Sequence, residues 1–240
     1  YEVYFTNPEC PPEGERSGGV DEIIAEDILR ATTSVDIAAF DLDSEPIVNA
    51  LIALEKRGLP VRVVTDTDNE DLSSIRRLRR NGTSVVADDR SALMHNKFIV
   101  IDGEIVWTGS LNYTTNGVYC NNNNAVRFAI PELALNYRHE MDEMYVDRSF
   151  GPRSPDNTPA KELRIDNVRV ENYFAAEEEV APLIANLVSQ AEESIQFMAF
   201  SFTRDDIGGA MLERAEAGVD IAGVFETTGS DTAFSYFPVF

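Results

Sequence analysis

Apolar residues recur along the early part of the chain with two alternating periods. Ile23, Ile24 and Ile28 fall at helical spacing, Val35 to Phe40 form a short apolar-rich run, Ile47 to Leu54 return to helical spacing, and Val61 to Val64 form a second short run. A period of about 3.6 residues lines one stripe of a helix, whereas a brief, nearly unbroken apolar run suits a strand buried on both faces. The alternation predicts βαβ units, hence an α/β fold with a largely parallel sheet covered by helices.

The same pattern returns 160 positions later without a gap. Ile24 is matched by Ile184, Ser34 by Ser194, Ala39-Phe40 by Ala199-Phe200, Ile47 by Ile207, Gly58 by Gly218 and Val64 by Val224. Two copies of one α/β unit are therefore expected. Between them, Pro152, Pro155 and Pro159 resist helix and sheet alike. The expected organisation is a first lobe over 1–148, a proline-rich linker over 149–163 and a second lobe over 164–240. The run from Pro131 reads as a helix closing the first copy, with proline in its first turn and His139 as a surface or partly buried helix residue.

Composition narrows the class. The 240 residues are 43% hydrophobic, enough for a proper core. No apolar run reaches the roughly 18 residues of a membrane span, so no transmembrane segment is expected. No basic-then-apolar signal segment opens the chain, which begins at Tyr1. It is expected to be a processed form or a piece of something longer, and processing favours an extracytoplasmic location. With 42 acidic against 20 basic residues, the formal charge of −22 repels polyanions at long range, which argues against a broad nucleic-acid surface. Cys10 and Cys120 are too few for a disulfide framework and are not clustered as metal ligands.

The chemistry concentrates in "LMHNKFIVIDGEIVWTGSLNYTTNG", Leu93 to Gly117. Phe98 to Ile101 and Glu104 to Trp107 read as two strands, with Asp102-Gly103 between them as a tight hairpin turn. Strand parity points His95 and Lys97 the same way and leaves Asp102 on the other face or in the turn, where its work is to fix the turn and bond backbone amides. An imidazole beside a fixed ammonium suits an anionic target such as a phosphodiester: the ammonium holds non-bridging oxygens while the imidazole attacks phosphorus or moves a proton. Ser110 and Asn112 follow on a shared parity, and Asn121 to Asn124 offer further amides that donate to phosphate or orient the imidazole. A solvated loop would use the same four asparagines. Trp107, the single tryptophan, suits either core packing or the wall of a substrate groove. Phe40-Asp41 and Glu226 end strands at the edge where open α/β sheets place their sites, and all three are read as framework.

His95-x-Lys97-x4-Asp102 followed by Gly109-Ser110-x-Asn112, set in a repeated α/β frame, resembles the phospholipase D superfamily. The resemblance covers nearly the whole chain and implies two similar mixed-sheet lobes, each flanked by helices and each bearing the motif. It implies a phosphodiesterase that forms a phosphohistidine on one histidine, while the histidine of the other lobe serves the leaving alcohol and then water, without a metal or other cofactor. On this basis His95, Lys97 and Asp102 are the catalytic motif, and Lys97, Ser110, Asn112 and Asn123 bind substrate. The sequence departs from the pattern where related members often carry a glutamate, near Asn123, so the nucleophile role of His95 and the acid–base role both stay open. The counterpart of His95 in the second copy would fall beyond Phe240, which makes the motif-bearing part of the second lobe an expected missing partner. The charge favours phospholipid or a related small phosphodiester over nucleic acid as substrate. The alternatives are a metal-independent nuclease, a phosphatidyltransferase of the cardiolipin-synthase type and a catalytically silent phosphate-binding fragment.

Overall fold

The apolar alternation of the early part of the chain becomes one seven-stranded sheet with helices on both faces. In the computed structural model, which describes residues 1–9, 16–165, 167–175 and 177–239, the elements run in the order β1 (Glu2–Phe5), α1 (Val20–Leu29), β2 (Val35–Ala39), α2 (Glu45–Lys56), β3 (Val61–Thr65), α3 (Ser73–Arg80), β4 (Ser84–Ala87), β5 (Lys97–Ile101), β6 (Ile105–Gly109), α4 (Thr115–Tyr119), β7 (Asn124–Ala129) and α5 (Pro131–Tyr145). The seven strands lie in the order β1-β7-β6-β5-β2-β3-β4. Helical crossovers make β2, β3 and β4 parallel, while β5 enters antiparallel beside β2 and the remaining neighbours are antiparallel. The sheet is therefore mixed, and β1, at its edge, carries no periodicity long enough to announce it.

Alternate residues of β5 feed different layers, as the pleat requires. Ile99 and Ile101 join Ile37, Trp107 and the buried stripe of α1 and α2, including Ile24, Ile28, Ile47, Leu51 and Leu54. Phe98 and Val100 join Val64, Val106 and the inner face of α5 at Ala134, Met141 and Met144. Each fully buried aliphatic side chain contributes about 2 kcal/mol relative to exposure. Ile23 is 40% exposed, on the outer side of α1. Trp107 is core: it is buried, lies tilted against Tyr4 with ring centroids 5.2 Å apart, and its indole N–H donates to Asp27 Oδ2 at 2.9 Å.

The chain divides into two compact units, Tyr1–Tyr173 and Phe174–Phe240. The proline-rich segment packs within the first of them. Phe150 is buried with Met141 and Met144, and the amide of Asn136 on α5 both donates to Ala160 O at 2.8 Å and accepts from Ala160 N at 3.0 Å. A hairpin of β8 (Glu162–Ile165) and β9 (Val168–Glu171) ends this unit.

The second unit holds α6 (Val180–Ser189), β10 (Ser194–Ala199), α7 (Asp205–Glu216), β11 (Asp220–Phe225) and α8 (Thr227–Ser230). Its register repeats that of the first: Ile195 pairs with Ile221 as Val35 pairs with Val61. Gly218 ends α7 at φ +92° as Gly58 ends α2 at φ +78°. Phe202 gathers Phe197, Phe225 and Tyr236 into an aromatic cluster with centroids 5.5–6.1 Å away. No described helix is long and apolar enough to cross a membrane. Cys10 lies outside the described residues, and Cys120 is half-buried just after α4.

Candidate active site

The carboxyl ends of β2, β3 and β6 and the amino end of β5 share one edge of the sheet, and the motif residues gather there. Lys97 is the first residue of β5 and pairs with Ala39, the last of β2. His95 precedes the strand, its backbone held where Phe40 N donates to Asn96 O at 3.1 Å. The side chains of His95 and Lys97 meet around one ring. Phe40 lies edge-on to the imidazole at 4.8 Å, Lys97 Nζ sits 5.3 Å from the same ring centroid, and Nζ donates to His95 O at 2.9 Å.

Burial shapes the charge states. It pushes Lys97 down to about 8, against the pull of the Asp41 carboxylate. The His95 imidazole is also pushed below its ordinary value, first by burial and then by the Lys97 ammonium, with Asp66 acting the other way. Asp41 is pushed up by burial and by Asp43, while the Leu42 amide and Lys97 oppose the rise. Near neutral pH the edge therefore presents a neutral imidazole beside an ammonium, which is the pairing that an attack on an anion needs.

Asp102 sits at the far end of the hairpin. Asp102 and Gly103 take φ +56° and +70°, Glu104 N donates to Ile101 O at 3.0 Å, and a side chain on Gly103 would run into Arg138. Its carboxylate accepts from the amides of Thr32, Thr33 and Ser34 and from the Thr32 and Thr33 hydroxyls, all at 2.8–3.1 Å. Asp102 thus ties the β5–β6 turn to the loop before β2, a full strand length from His95.

The segment after β6 starts at Gly109, where φ is +147° and a Cβ would stand 2.4 Å from Asn124 O; glycine is required for the chain to leave the strand this close to β7. Ser110 Oγ donates to Asn123 Oδ1 at 2.9 Å and accepts from Asn124 N at 3.1 Å, and Asn123 Nδ2 donates to Gly117 O at 2.9 Å. Those three residues are knitted to one another. Asn112 is not: its amide oxygen is buried and has no hydrogen-bond partner among the described residues. The residue after Asn112 is tied to the turn that enters α2, because Asp43 N and Ser44 N both donate to Tyr113 O, at 3.1 and 3.0 Å.

The structure adds residues that pattern reading assigned to the framework or passed over. Phe40 touches the side chains of both His95 and Lys97, Asp41 acts on Lys97, and Asp66, buried at the end of β3, accepts from Met94 N at 2.7 Å. The one local signal for Phe40 and Asp41 was their place at the end of a predicted strand. Glu226 does stay framework, capping α8 through Gly229 N. His139 is exposed on α5.

Comparison with known proteins fits this geometry. Residues 24–145, half of the chain, match the family described as "Cardiolipin synthase, PLD-like domain". The mitochondrial cardiolipin hydrolase of Xenopus tropicalis is 34% identical over 137 residues, covering 56% of this chain and 64% of that protein. A phospholipase D of Rickettsia felis is 34% identical over 121 residues, covering 50% of this chain and 60% of its own length. The chain thus spans less than two thirds of these relatives. Among solved structures, the phospholipase D family member Nuc from Salmonella typhimurium superposes with a TM-score of 0.51 at 25% identity, covering 64% of this chain and 97% of that one. The mixed sheet, the motif at its edge and the matched half of the sequence agree: the chain belongs to the PLD-like domain family of the cardiolipin synthase type, within the phospholipase D superfamily.

Proposed function

We propose that the first unit carries the reacting half of a phospholipase D-like phosphodiesterase acting on phospholipid or a related small phosphodiester. The observation that carries this reading is the meeting of the His95 imidazole and the Lys97 ammonium around Phe40 at the carboxyl edge of the parallel strands. In the attack, a ring nitrogen of His95 forms a bond to phosphorus as the bond to the leaving alcohol breaks. A second acid supplies the alcohol's proton, and water then releases the phosphoryl group from the ring. Lys97 Nζ and the Nδ2 donor of Asn112 hold non-bridging oxygens, Ser110 and Asn123 fix the loop that presents Asn112, and Asp102 holds the turn.

Lipid is favoured over nucleic acid by the formal charge of −22 and by relatives named cardiolipin hydrolase and phospholipase D. The second unit is read as part of a second lobe. Among the described residues, β10 has β11 on one side but lacks the antiparallel neighbour that β5 gives β2. Strands supplied from outside this unit would complete it and bring the second acid.

The test uses a substrate whose leaving group departs as an anion and needs no acid. The chain should release p-nitrophenolate from bis(p-nitrophenyl) phosphate in the presence of a chelator, and His95→Ala should abolish the release. Release that survives His95→Ala defeats the reading. Cardiolipin vesicles and single-stranded DNA offered in parallel separate the lipid enzyme from a nuclease.

A further inference from the structure

The loop that in related proteins often brings a carboxylate to the motif histidine brings none here, since both atoms of the Asn123 amide are engaged, with Ser110 Oγ and Gly117 O. An imidazole that gains charge during reaction is better supported by a carboxylate than by an amide. A different carboxylate is bonded to the imidazole's own segment. Asp66, the residue after β3, is 2% exposed. It accepts from Asp68 N at 2.9 Å and from Met94 N at 2.7 Å, and no described arginine or lysine forms an ion pair with it. A buried carboxyl group held only by amides is costly for a fold to keep, and such a group persists where it has a use. Met94, the residue it grips, is itself buried in the core cluster that holds Phe98 and Phe150, so the backbone entering His95 is fixed at side chain and amide together.

We propose that Asp66 is the positioning carboxylate of His95: it anchors the Met94–His95 backbone and supports the positive charge that develops on the imidazole, in place of a carboxylate at the Asn121–Asn124 loop. The charged groups around the ring come from four elements. Lys97 on β5 opposes protonation, Asp66 after β3 favours it, and Asp41 after β2 acts on Lys97. From α5, Glu140 approaches Asn96 Nδ2 at 3.3 Å, which places a further carboxylate on the neighbouring residue. The proposal rests on reading His95 as the reacting group, but its test needs no turnover.

The chain has two histidines, so the imidazole nitrogens of His95 and His139 can be titrated together by NMR in the full protein, with the exposed His139 as internal reference. Asp66→Asn keeps an oxygen for Met94 N and removes the charge. It should lower the His95 pKa by on the order of half a unit or more and leave His139 unmoved. Glu140→Gln should change His95 less than Asp66→Asn does. An unchanged His95 titration in a folded Asp66→Asn overturns the proposal, as does a larger shift from Glu140→Gln. Should Asp66→Asn not fold, the carboxyl carbon resonance of Asp66 in the wild-type protein must inflect at the His95 pKa and lose that inflection in His95→Gln; a flat trace in the wild type overturns it equally. Bis(p-nitrophenyl) phosphate turnover indifferent to His95→Ala would defeat the catalytic reading while leaving this titration result standing.

Discussion

Lys97 is held in a state that is costly for the fold and useful for the site. Burial has moved its pKa from 10.5 down to about 8, so the folded chain binds this proton less tightly than the unfolded chain does. The sign follows from linkage: the charged lysine destabilises the fold below pH 8, and the penalty fades as pH rises from 8 towards 10.5. Lys97→Met should therefore raise the melting temperature at pH 7, while removing the binding of orthovanadate measured by calorimetry. In the wild type, vanadate affinity should fall as pH rises through 8 and the ammonium is lost. Asp41→Asn, which removes the carboxylate supporting that ammonium, should move the fall to lower pH. A vanadate profile flat across pH 7 to 9 would remove Lys97 from the anion site.

At the scale of elements, the β5–β6 hairpin is positioned by its turn rather than by its strands alone. Burial alone would raise the Asp102 pKa, but the amides of Thr33, Thr32 and Ser34 together hold it at about 2. Because the folded value lies below the ordinary carboxylate value of 3.8, this contribution is complete above about pH 4 and is lost as pH falls towards 2. Asp102→Ala leaves three amides without their partner and should cost about 2 kcal/mol in urea denaturation at pH 7, with a smaller difference from wild type at pH 3. The turn, the strands flanking it and the helix stripes were legible, because each is encoded within a few consecutive residues. Asp102-Gly103 announces positive φ, and Ile24 and Ile28 announce one helix face. The surroundings of His95 were not. Phe40, Asp66 and His95 meet because β5 inserts antiparallel beside β2, and β1 pairs with β7 from the other end of the unit; sheet order of this kind leaves no mark on the residues that it brings together. The proline spacing of 149–163 reads as a linker, and no local signal in it shows that Phe150 and Ala160 have sites on α5.

Across the whole molecule, burial is uneven. Strands β2 and β5 lie in layers whose central residues are fully buried, whereas Met198 and Phe200 at the end of β10 are 74% and 75% exposed and Val224 on β11 is 64% exposed. Backbone hydrogen bonds covered by little apolar surface open at low cost. Amides of β10 and β11 should therefore exchange with deuterium orders of magnitude faster than those of β2 and β5, and uniform protection across both units would contradict this account. The indole of Trp107, sealed beneath Tyr4 and bonded to Asp27, gives that difference an optical form. As the single tryptophan, it makes tryptophan-selective emission blind to the second unit, so a melt followed by that emission reports the first unit alone while circular dichroism sums both. The two traces should part at low denaturant, where ellipticity falls and the emission maximum stays blue.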